Sequence, residues 1–173
     1  MERSFLAEGS KLCLELVKNC PLKVILYTER ALAKAPELES LGGEQYLVEE
    51  HVAQKLAGVQ TTQGVFGVFG YPPEPQGLLH AGGRYLALEN VQDPGNVGAL
   101  LRSAAAFGFD GALLSPGCAG PFSPKVLRAS MGASGRLPVL QVGDLPAVLR
   151  QLSGVGVACL AAALYGSRPL DEI

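Results

Sequence analysis

No C-x-x-C pair occurs in this chain, and its two histidines, His51 and His80, stand apart from its four cysteines, Cys13, Cys20, Cys118 and Cys159. A zinc site or a histidine-centred triad is therefore not expected. The cysteines read as buried thiols of a reducing compartment. A chain of 173 residues buries about 70% of its unfolded surface and needs no disulfide or metal staple. His51 reads as a polar helix residue and His80 as a linker residue. A charged-then-apolar leader is missing, and no apolar run approaches the ~18 residues of a membrane span. A cytoplasmic protein with no membrane contact is expected. Excess positive charge is missing too: the formal net charge is −2, so any nucleic-acid contact must be local. The phosphate loop G-x-x-x-x-G-K-[ST] is absent. The glycines of "GVFGVFG" fall as G-x-x-G-x-x-G and open no helix, which argues against a common nucleotide-binding domain. Internal repeats are lacking.

What is present is an alternation of short strands and helices, interrupted once. The segment "GYPPEPQGLLHAGG", Gly70 to Gly83, is too rich in proline and glycine to continue either element. It predicts a division into residues 1–70, a linker 71–83, and residues 84–173. In the first part "SFLAEG", "LKVILYT", "QYLV" and "GVFGVFG" read as strands. Between them lie helices: one capped by Ser10 and running to about Lys18, then "ERALAKA", then "EEHVAQKLAG" ending at Gly58. The second part alternates "RYLALEN", "GALLSP", "RLPVLQV" and "GVACLAAAL" as strands with helices over Asn96 to Phe107, "SPKVLRASM" and "DLPAVLRQL". This alternation predicts an α/β layer fold, and the short, wholly apolar strands of the second part predict a parallel sheet buried on both faces.

The most informative stretch is "LENVQDPGNVGALLRSAAAFG", Leu88 to Gly108. Asp-Pro-Gly is ordinary turn chemistry and asparagine is a good cap, so Asn96 is expected to open the helix. Arg102 then lies roughly 9 Å down the axis, and helical side chains lean back toward the N-terminus. Its guanidinium would sit beside free backbone N–H groups, a place that suits phosphate. A snorkelling or salt-bridged arginine fits the spacing equally well.

The segment Glu89 to Gly108 resembles the first signature of the SpoU family of RNA 2′-O-ribose methyltransferases, in the knotted SPOUT superfamily. In that family a strand feeds D-P-x-N-x-G-x-x-x-R-x-A-x-x-F-G, and Asp93, Pro94, Asn96, Gly98, Arg102, Ala104, Phe107 and Gly108 hold those places. "SPKVLRASMGASGRLPV", Ser123 to Val139, is similar to the next family segment, R-x-S-x-G-A followed by L-P-V. In the first part "FLAEGSK" and "VAQKLAGVQTTQGVFGV" resemble the small ribosomal-protein-like RNA-binding domain often placed before SpoU catalytic domains. Thr61-Thr62-Gln63-Gly64 stands where the family usually reads T-P-Q-G.

The resemblance implies methyl transfer from S-adenosylmethionine to a ribose 2′-hydroxyl of structured RNA, ribosomal rather than transfer RNA, by a protein that is a homodimer at full length. It implies that Asn96 and Arg102 are catalytic, that Arg102, Lys125, Arg128 and Gln63 contact RNA, and that Leu160, Ala161 and Ala162 face the cofactor. The resemblance also offers this arginine as the base; an arginine normally holds its proton far above neutral pH, so Arg102 is read as an electrostatic positioner unless a dry, phosphate-coupled site shifts it. Lys125 and Arg128 read first as a solvated helix face and second as phosphate contacts. Residue types alone make Leu160 to Leu164 a buried strand.

Family members also carry a G-x-E-G-x-G loop, an I-P-M strand and an S-L-N segment after the place matching Ile173, and a helix before "FLAEG". The chain thus resembles a truncated member with an incomplete SPOUT domain, weak or inactive by itself and prone to associate through its open sheet edge. The alternative is a non-catalytic RNA-binding protein that kept the fold without a complete cofactor pocket.

Overall fold

The structure is a computed structural model that describes all residues except 1, 2, 59, 74–76, 164, 167, 170, 171 and 173. In the first half, strand β1 (Ser4–Glu8) leads into helix α1 (Ser10–Leu16), β2 (Leu22–Tyr27) into α2 (Glu29–Lys34), and β3 (Glu44–Leu47) into α3 (Glu50–Ala57), before β4 (Val65–Gly70). The strands form a sheet of order β1-β4-β2-β3. β4 runs antiparallel to both neighbours, while β2 and β3 are parallel. β4 is central because Val65, Phe66 and Phe69 bury fully, whereas β3 leaves Tyr46 and Leu47 exposed at the edge. Thr28 caps α2 by accepting the Ala31 N–H at 3.2 Å. α1 departs from expectation: Gly9, at φ 108°, holds the cap position in place of Ser10. That left-handed backbone favours glycine over serine.

The second half contains β5 (Tyr85–Leu88), α4 (Pro94–Ala106), β6 (Gly111–Leu114), α5 (Pro124–Ala129), β7 (Val139–Gln141) and α6 (Leu145–Gly154). Its sheet, of order β5-β6-β7, is parallel throughout, as the apolar runs predicted. Alternation along β6 divides the core. Ala112 and Leu114 pack toward Val97, Leu101 and Val126 of α4 and α5, and Leu113 packs toward Leu145 and Leu152 of α6. Both faces of the central strand are thereby covered by helices.

Two expectations fail here. The run "GVACLAAAL" joins no strand ladder in its described residues, and Leu164 lies outside them. Gly156, at φ 87°, ends α6, and the Val157 N–H donates to Leu152 O at 3.0 Å. This closing turn directs the chain back along the end of α6, where Val157 joins the Leu113 cluster. The thiols also differ from expectation: Cys13 and Cys20 are buried, Cys118 is half-buried and Cys159 is exposed. The expected linker runs between β4 and β5, with 74–76 outside the described residues.

The halves share a core. Phe122, just before α5, lies 4.9 Å from the Phe5 ring and 4.5 Å from Tyr71, and Leu127 joins the same cluster. Gly135 sits where a Cβ would fall 2.7 Å from Leu16 Cδ2, so the turn before β7 lies directly on α1.

Candidate RNA-binding groove

The start of α4 is built differently from expectation. Asp93 is the cap, Pro94 takes the first helical position, and the Asp93 carboxylate accepts the Asn96 N–H at 2.8 Å. Proline at this place is favourable because its missing N–H would have no partner there. Two consequences follow. A carboxylate already occupies the helix start, which leaves it poorly suited to a phosphate. Arg102 also stands nine places after the cap, about 13 Å along the axis, and is not beside that start.

Arg102 instead faces a groove of about 500 Å³ between the two halves. Gly98 permits the surrounding geometry: a Cβ there would fall 2.4 Å from the Ala129 Cβ and 2.9 Å from the Ser130 N, so α4 and α5 approach closely. From the second half Arg102, Arg128 and Arg136 line the groove; from the first half come Lys11, Gln63, Glu8 and Glu15. Gln63 lies over the Gly9 backbone, within 2.7 Å of where a Cβ would be, and so is held at the mouth. Arg102 and Lys11 make no hydrogen bond or ion pair with the described residues. On the rim Met131 is exposed and has φ 51°. It occupies the left-handed turn that closes α5, a position usually given to glycine.

Of the residues singled out in the sequence, Arg102, Arg128 and Gln63 come together in this groove. Asn96 and Lys125 are exposed on α4 and α5 but are not among its lining. Leu160, Ala161 and Ala162 lie elsewhere, along a second groove of about 650 Å³ with Gly82 to Ala87 and α6. All three are exposed, Leu160 at 62%, so they supply one wall and not an enclosed cradle. Sequence reading missed Lys11 and Arg136. The latter lies within the similar segment "SGRLPV", but only its contact with α1 gives it a place in the groove.

Glu15 forms the main ion-pair junction at this interface. It accepts from Lys18 at 2.6 Å and from Arg136 at 2.8 Å. The Lys18 hydrogen bond is the leading cause that holds its carboxyl below the ordinary range; Arg136 adds to it, while burial opposes both. Glu8 lies 3.9 Å from Arg128 and accepts the Thr62 hydroxyl at 3.0 Å. Burial pushes the Cys13 thiol up to about 12 and the Cys20 thiol up to about 11, as befits two thiols packed into the core. Among the described residues no three His, Cys, Asp or Glu side chains converge to hold a metal ion, and no helix is long and apolar enough to cross a membrane.

Residues 83–173 match the SpoU rRNA Methylase family, and residues 1–67 match the MRM3-like substrate binding domain. The chain belongs to the SpoU family. It is 31% identical over 171 residues to the 23S rRNA (guanosine(2553)-2′-O)-methyltransferase RlmP of Bacillus subtilis, covering 98% of this chain and 66% of that one. It is 33% identical over 144 residues to human mitochondrial rRNA methyltransferase 3, covering 78% of this chain and 34% of that protein. An rRNA methyltransferase from Sinorhizobium meliloti superposes with a TM-score of 0.81 at 31% identity, over 99% of this chain and 67% of its own. An AdoMet-bound rRNA methyltransferase from the same organism gives 0.72 at 31% identity, over 90% and 60%. The SPOUT-class α/β architecture predicted from the motifs is thus the SpoU fold. The chain spans 54% of an uncharacterised tRNA/rRNA methyltransferase of Synechocystis and 66% of the B. subtilis relative.

Proposed function

We propose that the whole protein to which these residues belong methylates a ribose 2′-hydroxyl of ribosomal RNA, and that the groove between the halves receives the RNA backbone. One observation carries this reading: in a SpoU chain, Lys11 and Gln63 from the first half face Arg102, Arg128 and Arg136 from the second across one cleft. Four cations face two carboxylates there, Glu8 and Glu15. The overall net charge of −2 therefore hides a local positive surface. Residues 1–70 would supply substrate binding, and residues 84–173 the reaction half.

Among the described residues Arg102 has no hydrogen-bond or ion-pair partner, and it presents a fork of donors to phosphate or ribose oxygens. Its task is to hold the ribose in line and to offset developing negative charge. S-adenosylmethionine supplies a methyl group already activated by its sulfonium. Asn96, exposed in the first turn of α4, and Lys125, exposed on α5, would meet parts of the substrate outside the groove. A homodimer in the cytoplasm belongs to the same proposal.

The test is methyl transfer to unmodified ribosomal RNA by the whole protein. Arg102→Ala is expected to lower turnover about a hundredfold, the usual cost of losing one charge-stabilising donor, while leaving the circular dichroism spectrum intact. Unchanged turnover removes Arg102 from the mechanism. The open coil at Leu160 to Ala162 favours a second reading for these 173 residues by themselves, RNA binding without a cofactor pocket. Calorimetric titration of this chain with S-adenosylmethionine separates the two: saturable binding sinks the second reading, and no binding by a folded sample supports it.

A further inference from the structure

Two of the four cations in the groove are already engaged. Arg136 Nη1 donates to Glu15 at 2.8 Å, and Arg128 lies 3.9 Å from Glu8. In each pair the guanidinium belongs to the second half and the carboxylate to the first. Arg136 meets one carboxylate oxygen, Oε1, while Lys18 holds the other, Oε2, so Glu15 fills the place of a single phosphate oxygen. We propose that Glu15 is an internal phosphate mimic: it occupies Arg136 until an RNA backbone phosphate displaces it, and Arg136 then becomes a phosphate contact. This rests on the reading of the groove as an RNA site.

The exchange is physically cheap on three counts. The Glu15–Arg136 pair is solvent-accessible, with side chains 24% and 46% exposed, and pairs of this kind add little to stability. Glu15 is not orphaned when Arg136 leaves, because Lys18 stays at 2.6 Å. The backbone beside Arg136 is held without the ion pair: Gly135 packs on Leu16, and the Arg136 and Leu137 N–H groups both donate to Ala133 O. Only the side chain has to move. It also has room, because Arg136 borders a third, smaller groove of about 320 Å³ beside Tyr71 and Phe122. The 3.9 Å Arg128–Glu8 pair is looser, so Arg136 is the cation that the acidic partner restrains most.

The experiment measures binding of a fluorescein-labelled RNA hairpin to the full chain by anisotropy, across a series of salt concentrations. Glu15→Gln is expected to tighten binding about two- to fivefold, the scale of an exposed ion pair. Arg136→Ala should weaken it about tenfold, as expected for a charge-assisted hydrogen bond, and should reduce the salt slope by about 1. The double variant should match Arg136→Ala alone. Arg136→Lys, which keeps the charge and loses the fork, should fall between wild type and Arg136→Ala, and it carries the test if Glu15→Gln folds poorly. Glu37→Gln, on the turn after α2 and outside the groove, should change nothing.

Unchanged or weaker binding by folded Glu15→Gln overturns the proposal, as does a gain that persists when Arg136 is alanine. If Arg102→Ala weakens hairpin binding while the Glu15 and Arg136 variants have no effect, only this inference falls. If the wild-type chain does not bind the hairpin at all, the RNA reading of the groove falls and takes the inference with it.

Discussion

Gly98 shows how one missing side chain sets the site. Elsewhere in a helix, replacing glycine by alanine gains up to about 1 kcal/mol from propensity. At this position the new methyl would fall 2.4 Å from the Ala129 Cβ, with the Ser130 backbone N at 2.9 Å. Backbone cannot yield as a flexible side chain does, so the steric cost exceeds the propensity gain. Gly98→Ala is expected to destabilise the protein by about 1–3 kcal/mol, read as a lower Tm by calorimetry; a higher Tm would show that α4 and α5 have slack. The same substitution would push Arg102 away from Arg128, so loss of RNA binding should accompany loss of stability.

At the scale of elements, ion pairs join pieces that the chain connects only distantly. Arg30 of α2 meets Glu50 of α3 at 3.1 Å, and Arg136 meets Glu15 of α1. The Arg30 hydrogen bond, as the leading cause, lowers the Glu50 carboxyl, and the Lys18 and Arg136 hydrogen bonds lower that of Glu15. A carboxyl whose folded value lies below its unfolded value stabilises the fold above the unfolded value, near 4.5. That contribution is lost as pH falls through the folded value. Denaturation midpoints measured from neutral pH downward should therefore decline once pH passes below about 5. Part of that decline should be missing in Glu15→Gln, and high salt should flatten it, because these pairs are open to solvent. An identical pH profile for Glu15→Gln and wild type would show that the junction contributes nothing. The same scale explains the missing strand. An apolar sequence such as 157–163 becomes a strand only with a ladder partner, and the turn at Gly156 directs it onto α6 instead.

For the whole molecule, the decisive contact is aromatic. Phe122 is only 7% exposed, and it packs on Phe5 and Tyr71 although it belongs to the second half. With Leu127 it extends the core of the first sheet into the second half. The halves are expected to unfold in one transition. Phe122→Ala should cost about 3–5 kcal/mol and should loosen β1 and β4 as well as α5, visible as lost hydrogen-exchange protection on both sides. Two separate wild-type transitions, or protection lost only around α5, would contradict a shared core. The groove lies above this core, so its rigidity depends on the same side chains.

The sequence by itself determined the order of strands and helices as far as α6, the parallel character of the second sheet and the SpoU signature, because apolar periodicity, turn residues and an ordered motif are local properties. It also pointed to Arg102, Arg128 and Gln63, through motif positions alone. It misplaced the cap of α4, since Asp93 and Asn96 are both good capping residues and only geometry chooses between them. The tertiary structure alone decided that the first sheet runs β1-β4-β2-β3, that Leu160 to Ala162 stay outside a ladder, and that Lys11 and Arg136 join the groove. Arg136 and Glu15 are 121 residues apart. Their meeting depends on Phe122 and Gly135 packing against the first half, and no local pattern in the chain encodes which distant surfaces will bury one another.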